Sequence, residues 1–159
     1  EPTSATLTRR FDYCFTQTPG SGYPAILNEH RITTFGEPIR IEGAGGIIEA
    51  IPFDQDHGSI RSLGFRFGPL AYSADVVGVP EDSFAILQGV DTWILDALRY
   101  TPHPTHAHLD LSMKWLENTR IRLGILTNMH VDLDYQTLVR DLPDSVRPAY
   151  DGMTVEFDI

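Results

Sequence analysis

His57 and Asp75 delimit the stretch most able to do chemistry. Between them the chain reads Gly-Ser-Ile-Arg-Ser-Leu-Gly-Phe-Arg-Phe-Gly-Pro-Leu-Ala-Tyr-Ser-Ala. This predicts a loop carrying His57, a strand with Leu63, Phe65 and Phe67 on one face, a Gly68-Pro69 turn, and a second strand ending at Asp75. Such a hairpin sets an imidazole and a carboxylate at neighbouring loop ends. Together they suit zinc or another divalent transition metal. The competing reading is that His57 punctuates a turn and Asp75 caps the segment after it.

Three further histidines stand in Pro102-His103-Pro104-Thr105-His106-Ala107-His108. The tail His108-Leu109-Asp110 imitates part of a dinuclear metal motif, but Leu111 stands where a histidine would complete it. Asp110 falls where a helix begins, so serving the first-turn amides is its simpler role. His106 differs, because two prolines stiffen the loop before it, and a pre-organised imidazole suits proton transfer near neutral pH. A last cluster, Asn128-Met129-His130-Val131-Asp132-Leu133-Asp134, leaves a strand and enters a helix that Asp134 is placed to cap. His130 is either a functional imidazole or an ordinary surface residue, and His30 has no chemical company.

The elements that must position these groups follow in order. A short helix spans 4–10, and 16–24 is a loop around Pro19-Gly20-Ser21-Gly22. Strands are predicted over 31–41 and 46–53, then the hairpin. A helix over 81–87 is entered from Pro80 and closed by Gly89. Thr92–Asp96 is a buried strand ending in an acid, and 101–108 is a loop. Residues 110–118 form an amphipathic helix with Leu109, Met113 and Leu116 aligned. A strand over 122–127, a helix over 135–142 and a strand over 153–157 complete the chain. A β-meander followed by alternating strand and helix predicts an α/β fold with a mixed sheet and no internal domain boundary. Asp75, Asp96 and Asn128 with His130 gather at strand ends, where open α/β sheets bind ligands.

Composition bounds the alternatives. The 159 residues suffice for one domain, and 42% hydrophobic against 21% charged residues describe a globular chain. Twelve basic against twenty-two acidic residues give −10, with a single lysine, Lys114, so a nucleic-acid backbone is repelled on average. One cysteine, Cys14, permits no intrachain disulfide, which fits a cytoplasmic location. No apolar run approaches a membrane span.

The order of these pieces resembles a known family. His-Gly, then Leu-Gly-Phe-Arg-Phe…Leu-Ala-Tyr-Ser-x-Asp, Leu-Asp-Ala-Leu-Arg…Pro-His-Pro-Thr-His, Leu-Thr-x-x-His…Asp-Leu-Asp-Tyr and Pro-Ala-Tyr-Asp-Gly-Met are similar to the metallo-β-lactamase superfamily. Within it, the chain most resembles phosphodiesterases acting on phosphoribosyl cyclic phosphates, relatives of ribonuclease Z. The resemblance implies that His57 and Asp75 are metal ligands, Asp75 bridging two zinc or manganese ions. It implies that His106 works beside the scissile phosphate as acid or phosphate contact, with His103 alongside. Where the family places a histidine after Leu-Thr, this chain has Asn128, and His130 is the nearest imidazole and the expected third ligand.

The family's Thr-His-x-His-x-Asp-His motif does not occur here. The chain therefore resembles the C-terminal part of an αββα sandwich, roughly the last 150 residues of a ~250–300-residue protein. The implied activity is two-metal hydrolysis of a small phosphodiester by the intact protein, the portion seen here being inactive alone. A bared sheet face is expected to be covered by a second copy or a partner segment. The alternatives are a thioester, lactone or RNA 3′-end hydrolase of the same superfamily, and a metal-free α/β binding module.

Overall fold

The computed structural model describes residues 2–157. Contacts divide the chain into two compact units, 1–33 and 34–159. The first holds helices α1 (Pro2–Arg10) and α2 (Asp12–Phe15), after which the chain doubles back so that the Ile26 and Leu27 amides donate to the Cys14 carbonyl. Also within this unit, the Ser4 hydroxyl bonds the Glu29 carboxylate, which Arg31 pairs.

The second unit is a seven-stranded sheet in sequence order: β1 (Ile39–Gly43), β2 (Gly46–His57), β3 (Ile60–Phe67), β4 (Leu70–Ser73), β5 (Thr92–Asp96), β6 (Leu123–Thr127) and β7 (Val146–Pro148). Strands β1 to β4 pair antiparallel and β4 to β7 parallel, which is the mixed α/β sheet expected from the sequence. The change of direction has a local cause. Short turns join the first four strands, whereas α3 (Glu81–Ile86), α4 (Leu109–Thr119) and α5 (Tyr135–Asp141) sit in the connections between parallel ones.

Helix α4 lies against the middle of the sheet. Trp115 stacks on Trp93 of β5 with centroids 6.2 Å apart, and Phe84 meets both rings edge-on. The buried Trp93 indole donates to the Ser73 hydroxyl at 2.9 Å, tying β5 to β4. Gly124 on β6 leaves room for Leu116, whose methyl would stand 2.4 Å from any Cβ built there. Leu95, Ile125, Leu126 and Leu138 are essentially buried, each contributing about 1.5–3 kcal/mol of apolar transfer.

Three expectations need correction. Strand β1 starts at Ile39, not near residue 31, because Gly36 adopts φ 81° and Pro38 lacks an amide to pair. Strand β2 runs on to His57, so that histidine closes a strand instead of lying in a loop. The last strand is Val146–Pro148, with Pro148 opposite Leu126, whereas 153–157 forms no ladder. A proline within a strand disguises it in sequence and is tolerated because β7 is a sheet edge. Among the described residues no helix is long and apolar enough to cross a membrane.

Candidate metal centre

Strands β4, β5 and β6 run parallel, and each delivers one polar residue at its carboxyl end. Asp75 lies two residues past Ser73, Asp96 is the last residue of β5, and Asn128 directly follows Thr127. Asp75 and Asn128 take left-handed backbone conformations, φ 52° and 61°, which short polar side chains tolerate better than most. Strained turns at adjacent strand ends bring these side chains together at a ligand-binding edge.

The imidazoles arrive by two routes. His57 ends β2, and Gly58 turns the chain with φ 70°. A Cβ at position 58 would lie 2.5 Å from the Thr105 methyl and 3.2 Å from the Pro104 carbonyl, so only glycine lets the hairpin tip seat on that loop. Seated there, the His57 Nδ1 lies 2.8 Å from the Thr105 carbonyl. Nδ1 is then the protonated nitrogen and Nε2 carries the free lone pair. His106 comes from the loop after β5, which is fixed by the Leu98 amide donating to the Ala107 carbonyl and the Ala107 amide to the Val76 carbonyl.

His57, Asp75 and His106 converge, with one potential ligand atom from each lying within 4.8 Å of the others. The two rings meet edge to face at 4.8 Å. His106 is mostly buried, its Nδ1 2.7 Å from Asp96 Oδ2 and 3.8 Å from Asp75 Oδ1. The Asp75 carboxylate is 60% exposed. The donor set fits a divalent transition ion: imidazole and carboxylate donors, and both imidazoles oriented through Nδ1 by an acceptor behind them.

Asp96 is the residue behind the centre. It has no solvent exposure, and desolvation pushes its pKa up, opposed by the hydrogen bonds from His106 and the Val76 amide. Its Oδ1 also accepts from the Asn128 amide at 3.3 Å, and that amide lies 3.3 Å from the His106 Nδ1. His106 thus has a buried carboxylate partner in Asp96, which the sequence shows only as an acid at a strand end. A buried strand closing on Asp ten residues before a Pro-stiffened histidine was the available signal.

His103 lies beside His106, the ring centroids 5.3 Å apart and the planes tilted by 51°. Its Nδ1 accepts from the Thr105 amide at 3.3 Å, and burial, then the nearby Arg99 charge, hold its pKa down. His103 is therefore a neutral imidazole with Nε2–H as its donor.

His130 departs from the expected convergence. It pairs with Asp132 at 3.0 Å, is 60% exposed, and does not join the three-residue group. Its own amide is tied to the Leu98 carbonyl, and Asn128 occupies the position beside Asp96. The imidazole that completes the corner with His57 and Asp75 is His106. Asp110 sits in the first turn of α4 without a side-chain cap, so it serves the helix by charge alone, whereas Asp134 caps α5 by accepting from the Thr137 amide.

Comparison with known proteins agrees with this geometry. The sequence profile of the beta-lactamase superfamily domain matches residues 1–130. A solved diphosphatase of the PhnP family superposes with TM-score 0.84 at 33% identity, over all of this chain and 57% of that one. The short form of human tRNase Z shares the fold, with TM-score 0.53 and 19% identity over 70% of this chain and 44% of the other. The chain thus spans a little over half the length of the diphosphatase it matches. No curated protein matches it. The profile match, the mixed sheet and the His/Asp corner at its edge lead to one assignment: the chain belongs to the metallo-β-lactamase superfamily.

Proposed function

We propose that the intact protein is a metal-dependent phosphodiester hydrolase acting on a small cyclic phosphate or nucleotide-like substrate at the His57–Asp75–His106 corner. The observation that carries this reading is the convergence of three donor side chains within 4.8 Å, with His106 held from behind by a buried carboxylate. The likeness to a PhnP-family diphosphatase supports phosphoryl chemistry over other reactions of the superfamily. The chain's charge of −10 argues against a polynucleotide substrate and for a compact one.

Two divalent ions, zinc or manganese, would supply Lewis acidity and a nucleophile at neutral pH. His57 and Asp75 are the residues of this chain that would hold them, His57 through Nε2. His106 binds the phosphate or carries a proton to the leaving oxygen. The Asp96 carboxylate keeps the proton on Nδ1 and stabilises the imidazolium, so Nε2 faces the chemistry. His103, neutral and beside it, donates Nε2–H to a phosphate oxygen.

The test is the metal content of the full-length protein after extensive dialysis, together with hydrolysis of bis(p-nitrophenyl) phosphate and of a ribose cyclic phosphate. Retained zinc or manganese and metal-dependent cleavage are expected. A metal-free protein inactive on both esters would replace this reading with a binding module.

A further inference from the structure

Strand β2 is longer than either neighbour, and its two halves have different partners. Residues 51–57 pair with β3, whereas 46–50 pair only with β1, so β1 and the start of β2 form a two-stranded ribbon. Alternation divides the ribbon into two faces. Ile39 and Ile41 share one face with their cross-strand partners Ala50 and Ile48, while Arg40, Glu42 and Glu49 occupy the other with Ile47. Ile41 and Ile48 are about half exposed. Strand β1 is also a sheet edge, its outer amides and carbonyls lacking a strand partner among the described residues. An edge bearing isoleucine, free of internal proline and lysine, leaves its backbone groups open to another strand.

We propose that β1 pairs antiparallel with β1 of a second copy, continuing the sheet across a twofold axis at Ile41. The charge pattern selects this occupant. Antiparallel pairing centred on Ile41 sets Ile41 against its own copy on the apolar face and Arg40 directly opposite Glu42 of the other copy, twice by symmetry. Neither Arg40 nor Glu42 makes an ion pair among the described residues, although Arg40 stands opposite Glu49 in the ribbon register. Centring the same operation on Ile48 at the exposed start of β2 instead sets Ile47 against Glu49 and forms no charge pair. Of these two edges, β1 is the self-complementary one. Five paired residues fall below a standard interface, so the association belongs in the micromolar range. The proposal is independent of the hydrolase reading.

The experiment is sedimentation of the full-length protein at micromolar concentrations with R40E, E42R, the double swap, and an equimolar mixture of the two single variants. Each single variant replaces two opposite-charge pairs by like-charge pairs and is expected to weaken dimerisation about tenfold. The double swap restores dimerisation. So does the mixture, because an R40E copy facing an E42R copy has complementary charges at both pairs. Positions 40 and 42 are exposed, so unchanged circular dichroism is expected throughout. A monomeric wild type, single variants that dimerise as well as wild type, or a mixture that does not recover overturns the proposal.

Discussion

His106 Nδ1 and Asp96 Oδ2 lie 2.7 Å apart, one on a mostly buried ring and the other on a carboxylate with no solvent exposure at the end of β5. Burial disfavours the charge on Asp96, and the hydrogen bonds from His106 and the Val76 amide oppose that cost. A carboxylate placed so serves the imidazole more than the fold. D96N keeps the shape and an acceptor, and His106 can remain neutral, so no buried charge is stranded. Turnover of the metal-loaded, full-length protein is expected to fall about 10–100-fold. Unfolding free energy from urea titration is expected to stay within about 1 kcal/mol of wild type. A variant that unfolds much earlier while the folded fraction keeps full turnover would make Asp96 a purely structural residue.

Removal of ligands separates the corner's members. H57A and D75N should each lower the zinc or manganese retained after dialysis of the full-length protein, and H103A should leave it unchanged. H103A is instead expected to raise KM for a small phosphodiester, since its neutral Nε2–H is assigned to the substrate. Metal analysis beside steady-state kinetics reads both effects. The 159-residue chain on its own is expected to show no diesterase activity, because the donors it supplies are too few for a two-ion centre.

Much of this architecture was legible in the chain because its signals are local. Thr92–Asp96 is an apolar run bounded by Gly89 and a loop, and it is a strand with those bounds. Asp134 reads as a cap and is one. The pairing of His57 with Asp75 follows from a hairpin and the next strand's end, and the structure brings them together with His106. Non-local pairings were hidden. Nothing near Asp96 in sequence announces that its carboxylate turns under His106, and nothing near Asn128 shows its amide bridging toward both. His130 misled for the same reason: an imidazole near the expected position in sequence can satisfy itself on Asp132 two residues on. Strand β7 was missed because its identity depends on the neighbour β6, not on its own Val-Arg-Pro.

Packing of α4 on β6 gives a stability prediction. A Cβ at Gly124 would meet two Leu116 methyls at 2.4 and 2.8 Å, and Leu116 is buried with little room to withdraw. G124A should cost about 1–3 kcal/mol through overpacking. L116A should cost about 2–5 kcal/mol through the cavity it leaves. Because the new methyl partly fills that cavity, the double variant should be more stable than the sum of the two losses predicts. Denaturant unfolding of all four proteins measures the coupling, and strict additivity would mean that the helix shifts away from the strand instead.

The cap of α5 supplies a pH prediction of definite sign. The Asp134 carboxylate accepts from the Thr137 amide at 2.8 Å, and that bond holds its pKa below the ordinary 3.8. The folded state therefore binds the proton less readily than the unfolded chain does. Stability from this group is fully present above pH 3.8 and is lost as pH falls from there through the lower folded pKa. D134A removes the cap at every pH and should lower the melting temperature at neutrality. D134N keeps an acceptor at the same place, so it should melt close to wild type at neutrality. Its advantage appears in acid: wild type loses the charged cap below pH 3.8, and the asparagine has no proton to gain there. Melting curves of the three proteins from neutrality down through pH 3.8 and below decide it, because a wild type that parallels D134N through that acid range would show that the carboxylate adds nothing as an ion.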